Sequence, residues 1–315
     1  MIEGQEGVTW DQWVRLAHAC EEQGFQGLFR SDHYLSFDRP GERGALDAWS
    51  TLAGLAALTE RIRLGTMVSP VTFRHPSVLA KSVVTVDHIS GGRVELGMGA
   101  GWFEREHEAF GFSFPSTRER MDVLAEQVEI VHRLWDRNEE SVSFDGAHYR
   151  LEAVHVLPSP VQEPHPPLIL GGGAGPRAAA LAARWADEYD VVSVGPDEAR
   201  RARTLLSEAC AAIGRDPDAL RLSLMTGAVV GTDRRELERR AIALMDHERE
   251  SGDVAAAIEG WRSEGIVGTV DEVLGRLAEY AEAGVERVLL QHLVHDDLEM
   301  LELIGAEIIP GAADL

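Results

Sequence analysis

Residues 61–102 read RIRLGTMVSPVTFRHPSVLAKSVVTVDHISGGRVELGMGAGW. Ile62 to Val68 is a short apolar run of strand length. Pro76 stands where a first-turn proline opens a helix, here one that runs to Ile89. Arg93 to Gly99 is a second short apolar strand. A strand, a helix and a strand in that order make the crossover unit that places two strands side by side and parallel.

The same alternation extends in both directions. Upstream, Trp10 to Gln23 reads as a helix ended by Gly24, Phe25 to Arg30 as a strand and Leu46 to Thr59 as a helix. Downstream come a long helix from Thr117 to Asp136, a strand at Leu168 to Leu170 and a helix at Pro176 to Trp185. Strand Tyr189 to Val194, helix Pro196 to Ile213 and strand Leu220 to Val230 follow. Arg287 to Leu293 is the last strand and Leu298 to Ile309 the last helix. Two stretches interrupt the rhythm and are expected as insertions, about 138–167 and 234–285. The first has alternating residues, several prolines and the turn dipeptide Asp145-Gly146. The second is mostly helical. Strands alternating with helices imply a parallel sheet covered on its outer side. Seven strands follow the first helix, and an eighth would have to precede Trp10, where only Met1-Ile2-Glu3 is available. The pattern fits a (β/α)8 barrel with a shortened or missing first strand over residues 1–315 as one domain, and it also fits an open doubly wound sheet.

The 315 residues suffice for an α/β barrel and a large core without disulfides. The net charge of −23 disfavours nucleic acid and anionic membranes as partners, so an anionic cofactor would need local backbone N–H groups and a few arginines. Two lone cysteines, Cys20 and Cys210, in helix-like segments suggest buried thiols in a reducing compartment. With no signal-like apolar segment and no apolar run of membrane length, a cytoplasmic location is expected.

In a barrel of this kind the chemistry lies at the C-terminal ends of the strands. One such end reads Ser31-Asp32-His33-Tyr34, where an acid beside a histidine can orient a ring or move a proton, or can be a helix cap in a solvated loop. Another, Gly65 to Pro76, is stiff and irregular. Gly97-Met98-Gly99-Ala100-Gly101-Trp102 lets a flat ligand approach the backbone but lacks the third glycine and the ribose-binding acid of a dinucleotide site. Gly171-Gly172-Gly173-Ala174-Gly175-Pro176 is a glycine-rich turn opening a helix, which presents free N–H groups to an anion or is a flexible turn. Glu104 and His107 at helical spacing are half of a metal pattern that nothing completes, so no metal is expected.

Together the segments GFQGLFRSDHY, RIRLGTMVSPVTFRHPSVLAK, GGRVELGMGAGWFEREHEAFG, RERMDVLAEQVEIVHRLW and PPLILGGGAG resemble the luciferase-like family, and most of all its branch that uses the deazaflavin coenzyme F420. They cover most of residues 10–190 in the right order. The resemblance implies a (β/α)8 barrel, often a homodimer, that holds a flavin-like ring over its mouth. It implies a bulge at Met67-Val68-Ser69 behind the ring, with a cis or distorted Met67–Val68 peptide. Asp32 and His33 would lie beside the reactive centre, Ala100 and Gly101 at the ring edge, and Gly172, Gly173 and Ala174 at the phosphate. The sugar-phosphate dehydrogenases of that branch carry a glutamate proton donor where this chain has Trp102, so that donor and that substrate are not implied here.

The leading expectation is an F420-dependent oxidoreductase that moves a hydride between the coenzyme and a small organic substrate, with His33 handling a proton. The alternatives are an FMN-dependent monooxygenase and a flavin-binding barrel without turnover. One packing expectation also follows from strand alternation: Arg30 and Glu95 both point into the barrel and pair beneath the site.

Overall fold

The computed structural model describes residues 1–155 and 157–315; position 156, within the expected first insertion, lies outside the described residues. Among these, the strands in chain order are β1 (Gly27–Arg30), β2 (Arg63–Pro70), β3 (Val94–Gly99), β4 (Val142–Asp145), β5 (Arg150–Val154), β6 (Leu168–Gly171), β7 (Glu188–Val192), β8 (Arg221–Gly231), β9 (Ile266–Thr269) and β10 (Arg287–Gln291). The helices are α1 (Trp10–Glu22), α2 (Ala48–Leu58), α3 (Pro76–Ser90), α4 (Glu104–Phe110), α5 (Thr117–Trp135), α6 (Pro176–Trp185), α7 (Pro196–Ala212), α8 (Arg234–Glu248), α9 (Val254–Trp261), α10 (Val270–Glu282) and α11 (Leu298–Leu303).

β1, β2, β3, β6, β7, β8 and β10 form one parallel sheet in that order. The eighth position is the Met1–Glu3 stub. On one side Ile2 N–H donates to Phe29 O at 2.9 Å and Ser31 N–H to Ile2 O at 3.1 Å; on the other the Met1 nitrogen donates to Leu290 O at 2.8 Å and His292 N–H to Met1 O at 3.0 Å. These bonds close the sheet into a (β/α)8 barrel.

The sequence sets the helix ends. Thr9 and Gln12 cap α1 reciprocally, and Asp47 caps α2 through Ser50 N–H. α3, α6 and α7 begin with a proline at the first turn, and α3 ends on Gly91 at φ +67°.

Alternation along the strands divides the interior in two. Leu28, Leu64, Val94, Leu96, Leu168, Leu170, Leu222 and Leu224 are buried against the surrounding helices. Phe29, Met67, Ile169 and Leu289 join Met1 in a separate cluster inside the barrel. Below that cluster, Arg287 bonds Glu95 at 2.9 Å and Glu188 at 2.8 Å, and Arg63 also pairs with Glu95. These arginines hold the Glu95 carboxyl below its usual range although burial acts the other way.

The expected Arg30–Glu95 pair does not exist. Arg30 is in register with Thr66 and lies on the same face as Leu28, toward the helices. There its guanidinium donates to Thr51 Oγ1 at 2.9 Å, Leu46 O at 2.9 Å and Ser31 O at 3.0 Å, and lies over the Trp13 ring. Three neutral acceptors and an aromatic face satisfy this buried cation, while burial pulls its pKa down to about 10. Glu95 does point inward, but to Arg63 and Arg287.

The two insertions also differ in detail from expectation. The first is the antiparallel β4–β5 hairpin, whose loop N–H groups at Ala147, His148 and Tyr149 bond Glu126. The second holds α8, α9 and α10, and in addition β9, which pairs with Ala228–Gly231 of β8. Four residues, Ile266–Thr269, carry too little pattern to be read as a strand without that partner. The short helix α4 was likewise not foreseen.

Candidate active site

The mouth of the barrel is built around an irregularity in β2. Its register with β3 shifts between Thr66 and Ser69, and the Met67–Val68 peptide is cis. The Val68 side chain lies across glycines at the ends of the neighbouring strands. A methyl group on Gly99 would stand 2.6 Å from Val68 Cγ2, and one on Gly171 2.9 Å from Val68 Cγ1. Glycine at these positions makes room for the valine. The result is a shelf of bulge and bare backbone. Gly101, at φ +79°, continues this glycine-rich edge beside Ala100, and a methyl group there would approach Thr72 Oγ1 at 3.3 Å.

Polar bonds fix the shelf from behind. Ser69 Oγ donates to Asp32 Oδ2 at 2.7 Å and accepts from Trp49 Nε1 at 3.1 Å. Arg74 bonds Asp32, the Tyr34 hydroxyl at 2.9 Å and Asp47 at 2.7 Å. Burial works against the Asp47 charge, but the Ser50 N–H and Arg74 prevail and bring its pKa down to about 2. Asp32 is buried, and its Oδ1 has no hydrogen-bond partner.

His33 points its Nδ1 at Glu106 Oε2, 2.8 Å away. Glu106 comes from α4, is fully buried, and also accepts from Leu35 N–H at 2.9 Å and from Tyr34 N–H. Burial alone would raise its pKa; the bonds from His33, Leu35 and Tyr34 lower it instead. With Nδ1 donating to this carboxylate, Nε2 is the free nitrogen of the neutral ring. Phe37, Trp102 and Phe103 stand around the imidazole at centroid distances of 5.1, 5.8 and 6.1 Å.

The acid that orients His33 is therefore Glu106, not its chain neighbour Asp32. Sequence reasoning missed Glu106, although a signal existed: Phe103, Glu106, His107 and Phe110 fall at i, i+3, i+4 and i+7, so an acid occupies the apolar stripe of a short helix. The neighbouring His107 is structural. Its Nδ1 lies 2.7 Å from Phe103 O and its Nε2 2.6 Å from Thr72 Oγ1.

The glycine turn lies one strand further round. Gly172 has φ +136°, and a methyl group on Gly172, Gly173 or Gly175 would meet nothing within 4 Å. Gly175 precedes α6 with no side-chain cap, leaving the first-turn N–H groups of that helix without side-chain partners. The turn opens on a cavity of about 620 Å³ whose far wall is α7, with Glu198 and Arg201. Arg201 makes no ion pair among the described residues, and it too was not singled out from the sequence.

A second cavity, about 390 Å³, lies at the ends of β7, β8 and β10 beneath the second insertion. Its lining includes Val229, Leu244, Trp261 and Leu293, with Glu248, Glu250, Glu264 and Asp297. Burial raises the Glu248 pKa. The loop that follows His33 is tied to this insertion. Arg39 and Arg43 both donate to His247 O at the end of α8, the latter at 3.0 Å, and Glu42 pairs with Arg249 at 2.8 Å.

A parallel α/β barrel with its irregular, glycine-lined mouth at the strand ends defines an enzyme scaffold, and relatives named as dehydrogenases and monooxygenases make it an oxidoreductase. The chain belongs to the luciferase-like monooxygenase family, whose model matches residues 2–287. It is 30% identical over 316 aligned residues to an F420-dependent glucose-6-phosphate dehydrogenase of Nakamurella multipartita, covering 94% of this chain and 90% of that protein. It is 33% identical over 236 residues to an F420-dependent hydroxymycolic acid dehydrogenase of Mycobacterium tuberculosis, covering 74% and 63%. Among solved structures, a monooxygenase of Streptomyces bottropensis superposes with a TM-score of 0.80 at 27% identity, over 96% of this chain and 93% of that one. No helix among the described residues is long and apolar enough to cross a membrane.

Proposed function

We propose that this protein is an F420-dependent oxidoreductase in which Met67, Val68 and Ser69 support the coenzyme ring, Ala100 and Gly101 border it, and Gly172, Gly173 and Ala174 receive its phosphate. The observation that carries this reading is the shelf: one valine on a bulge, resting on glycines of two adjacent strands, leaves a flat apolar surface of the kind a planar ring needs. The chain also fits the group in two other respects. The glycine turn is open where a phosphate must approach, and across the cavity Arg201, on α7 with Glu198 and Glu208, is a cation without an ion pair among the described residues. The buried Asp32 Oδ1 is an acceptor awaiting a donor. The full-length relatives named as F420-dependent favour the deazaflavin over FMN.

Held there, the deazaflavin would supply a two-electron centre able to take or give a hydride. His33 accepts or returns the matching proton at Nε2, and Glu106 fixes the ring and its tautomer. Asp32 is a positioning residue that anchors Ser69, and through it the bulge. Phe37, Trp102 and Phe103 shield His33 from bulk water.

Titrating the pure protein with F420 and with FMN, by coenzyme fluorescence, tests the reading. Tight F420 binding and anaerobic turnover are expected. FMN binding with oxygen-dependent turnover, and no F420 affinity, would overturn it in favour of a monooxygenase.

A further inference from the structure

The mouth has two halves. The residues assigned to the coenzyme occupy the ends of β1, β2, β3 and β6. The cavity at the ends of β7, β8 and β10 is left for something else, and its side chains state what it can hold. Apolar groups from Val229, Leu244, Trp261, Val267, Leu293 and Met300 form its body. Its charged lining residues are Glu248, Glu250, Glu264, Asp297 and Arg240. Arg240 is not available to a ligand: Nε bonds Asp297 at 2.9 Å, Nη1 bonds Val230 O at 2.6 Å, and Nη2 bonds Glu236 at 3.0 Å.

With Asp297 and Arg240 paired to each other, a phosphate ester entering this space would meet Glu248, Glu250 and Glu264 and no free cation among the described lining residues. Desolvating a dianion without a partner is strongly unfavourable, and like charges at close range add to that cost. The second observation is independent. Trp102 is 63% exposed and stacks on Phe103 beside His33, so the approach to the catalytic imidazole is aromatic. An aromatic approach to the imidazole, and at the remaining strand ends a cavity with an apolar body and no free cation, describe one kind of molecule.

We infer that the substrate is a neutral alcohol, or its carbonyl counterpart, with an apolar body, and that the cavity rejects phosphorylated sugars. This rests on the reading of the chain as an F420-dependent oxidoreductase for its chemistry. The alcohol loses a hydride from its carbinol carbon to the coenzyme and its hydroxyl proton to His33, which leaves the carbonyl compound. The cavity holds the part of the molecule that does not react. The glucose-6-phosphate specificity named for several relatives does not transfer to this chain.

Saturation-transfer NMR on the full chain, with and without F420 at low ionic strength, tests the inference with cyclohexanol and glucose 6-phosphate as probes. Cyclohexanol should bind, and Leu293→Trp, which fills the cavity from a partly exposed wall, should abolish its signal. Glucose 6-phosphate should bind at least about 100-fold more weakly at this charge density. The exposed pair Glu250→Lys and Glu264→Lys should recover at least about 10 of that 100-fold. Equal or tighter binding of the sugar phosphate, no cyclohexanol signal, or a signal untouched by Leu293→Trp would each overturn the inference. F420 affinity is read separately by fluorescence, so a protein that binds the neutral alcohol in this cavity but no F420 would refute the proposed function and leave the cavity's selectivity standing.

Discussion

Glu106 Oε2 stands 2.8 Å from His33 Nδ1, and the same carboxylate holds the backbone of the next two residues. One buried acid thus sets the rotamer of the ring, its tautomer and the course of the loop that carries it.

That relationship separates two variants. His33→Ala removes the proposed base, and turnover should fall by roughly 10²–10⁴-fold with little change in coenzyme affinity. Glu106→Gln keeps the shape but places an amide N–H₂ within reach of Nδ1. The ring then turns its proton to Nε2, where the free pair is needed. Turnover should drop by roughly 10–100-fold. Steady-state kinetics alongside a fluorescence titration checks both; equal losses of kcat and affinity in either variant would count against the assignment.

At the glycine turn, Gly173→Asp puts a side chain and a negative charge at the proposed position of the coenzyme phosphate. Binding should be lost while the fold survives, since nothing lies within 4 Å of the new Cβ. Arg201→Ala removes the cation across the cavity and should weaken binding more at low salt than at high salt, where its charge is screened. Titrations at low and high salt, with a melting curve for each variant, distinguish these effects.

The shelf predicts a coupling. Gly99→Ala forces Val68 aside and should cost about 1–3 kcal/mol, as overpacking does. Val68→Ala leaves room for the new methyl, so the double variant should be more stable than additivity of the two single changes allows. Denaturant unfolding of the wild type and three variants measures the difference. Additive behaviour would mean that Val68 does not rest on Gly99.

Asp190 gives a pH dependence with a definite sign. Burial pushes its pKa up to about 8, with the Ser223 hydroxyl bond at 2.9 Å opposing. Between the unfolded carboxyl range and pH 8 the native state keeps a proton that the unfolded chain has released. This group therefore reduces stability as pH rises, by about 1.4 kcal/mol per pH unit for one proton. Asp190→Asn removes the term. The variant's melting temperature, relative to wild type, should climb steadily from pH 5 to pH 8. A constant difference would place the proton elsewhere.

Most of the barrel was legible because its strands are short apolar runs separated by helices with proline starts and glycine stops. The glycine turn was legible as a motif, and the bulge came from the family resemblance. Arg30 was not, because alternation gives two faces without saying which is inside, and a lone arginine on the helix-facing side looks implausible until Trp13, Leu46 and Thr51 supply its partners. Glu106 was hidden for a related reason. It serves a residue 73 positions away, and local pattern shows only an acid in a short amphipathic turn. Arg201 stood among other arginines on an exposed helix, and only the cavity singles it out.

Arg39 and Arg43 meet on a single acceptor, His247 O. Two cations on the last turn of a helix neutralise the negative end of its dipole, but they also splice two loops that bear on different partners. One segment follows His33, the proposed base; the other leads into Glu248 and Glu250, which line the second cavity. Neither can swing away without dragging the other. A displacement at either end of the splice is therefore passed to the other, from the segment that follows His33 to the helix end that borders the second cavity.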